Sequence, residues 1–165
     1  MINLKSQLVE LLSENARYTN SQLSLMTGVS EEEVEKAVFE LEKQGVIAKY
    51  SAIINTEAME EADRKVQALI EVKVAPQKLK GFDSYAEEIY TFKEVQSLYL
   101  MSGGFDLAVF VEGKNITDIA KFVSEKLSII DGIASVQTHF ILKKYKIEGH
   151  VTQNNKEHQR QIIQA

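Results

Sequence analysis

Two stretches of this chain bring together residue types that can do chemistry. The first is Ser102-Gly103-Gly104-Phe105-Asp106. Adjacent glycines leave backbone N–H groups uncovered by side chains, which suits an incoming carboxylate, and Asp106 can receive an ammonium group. An α-amino acid needs both kinds of partner. The same residues have a plainer use, in which the glycines make a turn and Asp106 accepts hydrogen bonds from nearby backbone amides. Thr138 and His139, in a late β-forming run, are candidates to complete such a site.

The second stretch runs from Ser30 to Lys43. At 100° per residue, Val34, Ala37, Val38 and Leu41 fall on one side of a helix, and Glu32, Lys36, Phe39 and Lys43 fall on the other. That outer face has the donors and acceptors of a nucleic-acid contact. Lysines can meet phosphates or guanine edges, an aromatic ring a thymine methyl, and a glutamate a cytosine amino group. Asn20, Ser21, Ser30 and Lys49 complete the candidate DNA contacts. The difficulty is the run Glu31-Glu32-Glu33, because DNA is a polyanion. Glu31 and Glu33 fall off the outer face and favour the positive end of the helix dipole. Glu32 lies on that face. Capping and solubility are the plain reading of these glutamates, and Phe39 can equally pack on a neighbouring helix.

Other chemistries lack their residues. The chain has no cysteine, and His139, His150 and His158 have no ligand spacing, so no metal site and no resident cofactor is expected. Neither a phosphate-binding glycine loop nor a nucleophile elbow occurs, and no catalytic residue is assigned. Hydrophobic residues make up 44% of the 165 and charged residues 26%, an ordinary globular balance. No apolar run approaches the ~18 residues that span a membrane. The N-terminus lacks a secretory pattern, so a cytoplasmic protein without membrane contact is expected. Net charge is −5. Residues 1–55 hold five Lys/Arg against eight Glu, and residues 66–147 hold ten lysines, ten Asp/Glu and no arginine.

Two periodicities organise the elements around these stretches. Leu4, Leu8, Leu11 and Leu12 recur at helical spacing, and a short segment from Ser21 to Thr27 follows. Gly28 turns the chain, Ser30 and Glu33 form a capping box for the third helix, and Gly45 ends it. This is the order of a helix-turn-helix. Residues 46–54 are rich in β-formers and suggest a wing or linker strand. A polar, acidic hinge follows, over residues 55–65. Beyond it, Val66, Ala68, Ile70, Val72 and Val74 alternate with Gln67, Leu69, Glu71 and Lys73 in a strand closed by Pro76.

A helix follows around Phe82, Tyr85, Ala86 and Ile89. Strands over residues 95–102 and 105–112 are joined by a tight Gly103-Gly104 hairpin. A second helix carries Ile116, Ile119, Ala120, Val123 and Leu127, and a last strand carries Val136, Thr138, Phe140 and Leu142. The order is βαββαβ, a ferredoxin-like unit. The fold class is α+β. Residues 1–50 form a winged helix-turn-helix, 51–65 a linker, 66–147 the ferredoxin-like domain, and 148–165 a polar tail that frays or docks as a short helix. With both helices on one sheet face, the other should expose Leu69, Leu98, Leu100, Ala108, Phe110 and Ile141, an apolar patch that marks a subunit interface.

This arrangement resembles the Lrp/AsnC family. Arg17-Tyr-Thr-Asn-Ser-Gln-Leu23, Gly28-Val-Ser30 and Leu41-Glu-Lys-Gln-Gly-Val-Ile47 resemble its helix-turn-helix, and Tyr50-Ser-Ala-Ile follows as in the family. Met101-Ser-Gly-Gly-Phe-Asp106 resembles its Gly-x-Tyr/Phe-Asp turn, and Gly132 to Leu142 its last strand. The likeness runs from about residue 4 to 147. It implies a transcription regulator that binds double-stranded DNA, dimerises through its ferredoxin-like domains, commonly forms octamers and binds amino acids or related metabolites as effectors. The family usually carries basic residues where Glu35, Ala37 and Glu40 stand here. Two other readings go with the likeness: a sirohaem-decarboxylase-like enzyme with a degenerate DNA-binding domain, and a metabolite-binding adaptor without DNA contact. The enzyme's polycarboxylate substrate would call for arginine forks, which residues 66–147 do not have.

Overall fold

The structure is a computed structural model that describes residues 3–75 and 81–152. Pro76 and the tail beyond Thr152, with His158, Ile162 and Ile163, lie outside the described residues. Two compact units divide at Ile54/Asn55.

In the first unit, α1 (Leu4–Glu14), α2 (Asn20–Thr27) and α3 (Glu31–Lys43) enclose a small core of Leu8, Leu23, Val34, Ala37 and Leu41. Each helix start is marked by its sequence. Asn3 caps α1, Thr19 with Gln22 caps α2, and Ser30 with Glu33 caps α3. Gly28 takes φ +75 at the end of α2, a conformation other residues adopt only with strain. No strand forms between residues 46 and 54, although the composition favours one. Propensity alone does not make a strand; its N–H and C=O groups need a partner. The backbone N–H groups of Val46 and Ile47 instead donate to Leu41.

The second unit is an antiparallel sheet in the order β2-β3-β1-β4. Its strands are β1 (Val66–Val74), β2 (Val95–Leu100), β3 (Leu107–Gly113) and β4 (Ile133–Phe140). α4 (Phe82–Tyr90) and α5 (Ile116–Phe122) cover one face. The core there holds Ala68, Ile70 and Val72 of β1, Val109 and Val111 of β3, Tyr85 and Ile89 of α4, and Ile119 and Phe122 of α5. α5 passes into a wider π turn over Val123–Leu127, which brings Leu127 into the core. Of the expected stripe, Ile119 and Leu127 are buried and Val123 packs partly buried on the core, whereas Ile116 and Ala120 are exposed and Phe122 takes their place.

The open face differs from expectation at two leucines. A register shift between Val95 and Ser97 inserts Gln96 as a bulge. Past it, Leu98 and Leu100 pair with Val109 and Leu107 and point to the helix side. Ser97 and Tyr99, opposite Phe110 and Ala108, point to the open side. One extra residue exchanges the faces of all that follow. Leu69, Ala108, Phe110 and Ile141 stay on the open face, joined by Tyr99, whose ring meets Phe110 edge-on at 5.9 Å.

Two ion pairs brace this unit, one between the start of β1 and β3 and one between the π turn and the start of β2. The Glu112 carboxylate accepts from Lys65 at 2.7 Å and Gln67 at 3.0 Å, and Glu94 accepts from Lys126 at 2.8 Å. Burial pushes both carboxyls up, but these hydrogen bonds and lysine charges outweigh it and hold both below the usual 4.5. A depressed folded-state pKa stabilises at neutral pH, and that stabilisation is lost as pH falls through the lowered value. Thermal melts should therefore be flat down to about pH 5 and fall below about 4.5. Glu112→Gln should flatten that acid limb, and an unchanged limb would show that the pair does not couple to folding.

Candidate functional site

On α3, Glu32, Lys36 and Phe39 stand exposed on the outer side with Lys43, opposite buried Val34, Ala37 and Leu41. Phe39 is 62% exposed, so it is not packed on a neighbouring helix within this unit. Asn20 and Ser21 are exposed at the start of α2, and Lys49 is exposed beyond Ile47. Ser30 is committed to its cap, accepting from the Glu33 N–H at 3.3 Å and donating to the Glu33 carboxylate at 2.8 Å.

The acidity of this helix is partly absorbed within the unit. Side-chain and backbone hydrogen bonds from Ser30 hold Glu33 below the usual carboxylate range. Lys5 of α1 reaches Glu40 at 2.8 Å, and its hydrogen bond and charge lower that carboxyl too. Tyr50 donates to Glu42 at 2.8 Å, and burial together with that carboxylate pushes the phenol up. The Thr19/Gln22 box and the Lys5–Glu40 and Tyr50–Glu42 contacts were not anticipated. Thr-x-x-Gln before an apolar run is a legible start signal, whereas the two long-range pairs have no local signal. Glu31, Glu32 and Glu35 remain exposed.

The glycine segment is a wider loop than a two-residue hairpin. β2 ends at Leu100 and β3 begins at Leu107, and the Met101 N–H donates to the Asp106 C=O at 2.8 Å. Gly103 takes φ +140, while Gly104 does not adopt positive φ. The Asp106 N–H donates to Val72, and its Oδ2 accepts from the Val74 N–H at 2.8 Å. That contact falls where the β1–β4 ladder shifts between Lys73 and Val74. The turn-stabilising role of Asp106 is thus present. It leaves Oδ1 without a hydrogen bond, and the backbone N–H groups of Ser102 to Phe105 without a backbone acceptor, among the described residues.

A groove of about 310 Å³ lies between α4 and β2, lined by Phe82, Asp83, Tyr90, Leu98, Leu100 and Leu107 among others. Leu100 and Leu107 are the residues where the chain leaves for the loop and returns from it, so the groove ends at the loop's base. Sequence reading missed this groove, because the Gln96 bulge decides which side Leu98 and Leu100 face.

Thr138 and His139 do not complete a site with the loop in one chain. Thr138 lies opposite Ile70 and His139 opposite Leu69, two or more residues along β1 from Val72, to which Asp106 bonds. They also point to opposite faces, Thr138 to the helix side and His139 to the open side. There His139 meets Glu71 at 3.3 Å. No cluster of metal-ligating side chains occurs among the described residues.

The family described as "Lrp/AsnC ligand binding domain" matches residues 67–151, and "Winged helix-turn-helix DNA-binding" matches residues 4–48. The HTH-type transcriptional regulator YugG of Bacillus subtilis is 42% identical over 159 residues, covering 96% of this chain and 95% of that protein. Among solved structures, the leucine response regulatory protein LrpA of Mycobacterium tuberculosis superimposes with a TM-score of 0.73 at 22% identity, covering 89% of this chain and 96% of that one. The regulator NMB0573 of Neisseria meningitidis, solved as a complex with L-Met, gives 0.68 at 24%, covering 92% and 96%. These structures share the fold. The relatives are named as regulators, and the decarboxylase reading is set aside. The chain belongs to the Lrp/AsnC family and is a DNA-binding transcriptional regulator with a ligand-binding domain.

Proposed function

We propose that this regulator acts in the cytoplasm as a homo-oligomer, reads double-stranded DNA through the outer face of α3, and responds to an α-amino acid or related metabolite held at the 102–106 loop. One observation carries the ligand reading: unbonded loop amides stand beside a half-used carboxylate at the end of an apolar groove. The amides suit the ligand's carboxylate, Asp106 its ammonium, and the groove an apolar side chain. The Neisseria regulator's L-Met complex supports this class of ligand. No resident cofactor enters the reading. The open sheet face, with Leu69, Tyr99, Phe110 and Ile141, supports self-association, with a dimer as the minimum and an octamer as the family's common form. A stable monomer by light scattering at micromolar concentration would remove that part.

Asp106→Asn separates the two roles of Asp106. Its amide oxygen can still accept from Val74, so the loop keeps its anchor. The charge opposite the ammonium is gone, a loss of about 1.5–3 kcal/mol, or roughly ten- to hundredfold in affinity. Calorimetry with a panel of amino acids should show that loss with an intact oligomer. Equal affinity for both proteins would leave Asp106 a turn residue only.

A further inference from the structure

Residues 48–54 are exposed, and no backbone hydrogen bond ties them to the rest of the described chain. At Asn55 this changes. Its side-chain oxygen accepts from the Glu57 N–H at 3.2 Å and caps a 3₁₀ turn over Thr56–Ala58. Its side-chain nitrogen donates to the Thr152 C=O at 2.9 Å, 97 positions away in sequence. The two bonds demand opposite ends of one amide, so its orientation is fixed.

Thr152 is only 5% exposed. Its N–H donates to Tyr145 at 3.1 Å and its hydroxyl to the Lys144 C=O. The Lys144 N–H donates in turn to the Glu57 carboxylate at 3.4 Å. Between Lys144 and Thr152 the chain forms a hairpin in which β5 (Lys146–Ile147) pairs with β6 (His150–Val151). The two turn residues, Glu148 and Gly149, have φ +43 and +87, the pattern of the turn that matches the twist of paired strands. The acidic hinge expected over residues 55–65 is therefore folded. A second 3₁₀ turn spans Glu61–Asp63, and Arg64 donates to the carbonyls of Glu57 and Met59.

We propose that the Lys144–Thr152 hairpin is a latch that fixes where the chain leaves the ligand-binding unit and so limits the reach of each DNA-binding unit. Latched, the segment without backbone hydrogen bonds is residues 48–54, with Tyr50 held to Glu42 through its hydroxyl. Unlatched, and with the Arg64 bonds to Glu57 and Met59 also lost, it extends at most from residue 48 to 65. For a fully flexible chain these lengths give end-to-end distances of about 15 Å and at most about 24 Å. A tether of that limiting length dilutes the second DNA-binding unit of an oligomer by up to about fourfold, by the −3/2 power of length. This consequence rests on the DNA reading above; the latch itself does not.

Asn55→Asp is the discriminating variant. Aspartate caps as well as asparagine, so the 3₁₀ turn keeps its start, but an acceptor now faces the Thr152 carbonyl. Thr152→Val removes the hydroxyl at nearly constant shape. In the full chain, both should speed amide hydrogen exchange of Lys144 and Thr152 at least tenfold and leave Ile70 in β1 unchanged. A chain ending at Thr152 should exchange like the parent.

The second measurement uses duplexes carrying two copies of an in vitro selected site at varied spacing. The parent should prefer a narrow range of spacings. Both variants should accept a wider range, with up to about fourfold weaker binding at the best spacing and unchanged single-site affinity. Unchanged exchange in both variants overturns the latch whether or not DNA binds. Faster exchange with an unchanged spacing profile overturns its control of reach. If the parent binds no duplex, the DNA reading fails, and exchange alone still decides the latch.

Discussion

Gly132→Ala is expected to unfold much of the ligand-binding unit's stability. Gly132 has φ +92, and a Cβ built there would sit 2.1 Å from the Tyr85 hydroxyl oxygen and 2.9 Å from its ring. Tyr85 is 1% exposed and shares the core with Ile89 and Leu127, so it has little room to retreat. Overpacking a core costs about 1–3 kcal/mol, and holding a side chain in a positive-φ conformation costs about 1–3 kcal/mol more. Against a total of about 5–15 kcal/mol, the loss is severe. The unit should melt roughly 15 °C or more lower, while the helix-turn-helix, which has its own core, is unaffected. Tyr85→Phe in the alanine background should recover part of the loss, because the nearest clashing atom is gone. Parent-like melting of Gly132→Ala would mean that Tyr85 does not pack on Gly132 in solution.

Replacing Lys36 and Lys43 together with alanine should have the largest effect on DNA. Each contact contributes about 1 kcal/mol or more, so two lysines on each of two DNA-binding units amount to about 4 kcal/mol, near a thousandfold in affinity. Both side chains are exposed, and the buried stripe of α3 is untouched, so helix content should not change. Salt dependence tells how they act. If the lysines meet phosphates, the slope of log affinity against log salt should flatten by about 0.9 for each contact removed. If they meet bases, the slope should hold while sequence preference relaxes. Glu32→Gln should strengthen binding generally, and should relax preference at one base if Glu32 reads a cytosine. A footprint unchanged in all of these variants would exclude α3 as the reading helix.

Much of this molecule was legible where local rules act alone. Ser30 with Glu33 marked the start of α3, Gly45 its end, and alternation in Val66–Val74 placed β1 with the right face buried. The order βαββαβ followed from counting such signals. Features set by distant partners were not legible. Gln96 carries no mark of a bulge, yet it turns Leu98 and Leu100 from the expected interface into the wall of a groove. Residues 46–54 have β-forming composition but no strand beside them. Asn55 reads as one more polar linker residue until Thr152 is brought against it.

At the ligand loop, residue types indicated the chemistry. The structure then showed that Asp106 already holds Val74 and that Gly103 takes the positive φ. Thr138 and His139, the candidates on the last strand, are set on opposite faces by the alternation of that strand.

The uncompensated glutamates of α3 bear on how such a protein is distributed in a cell. A chromosome offers a vast excess of ordinary sequence, and attraction to it scales with the phosphate charge a protein neutralises. With five Lys/Arg against eight Glu in residues 1–55, that attraction is small. On the proposed reading, little of the protein is stored on bulk DNA, and occupancy of a control site rests on direct contacts rather than on long-range capture. The pool that meets a rise in metabolite is then largely free in solution. A change in ligand becomes a change in promoter occupancy without first drawing down a reservoir spread along the genome.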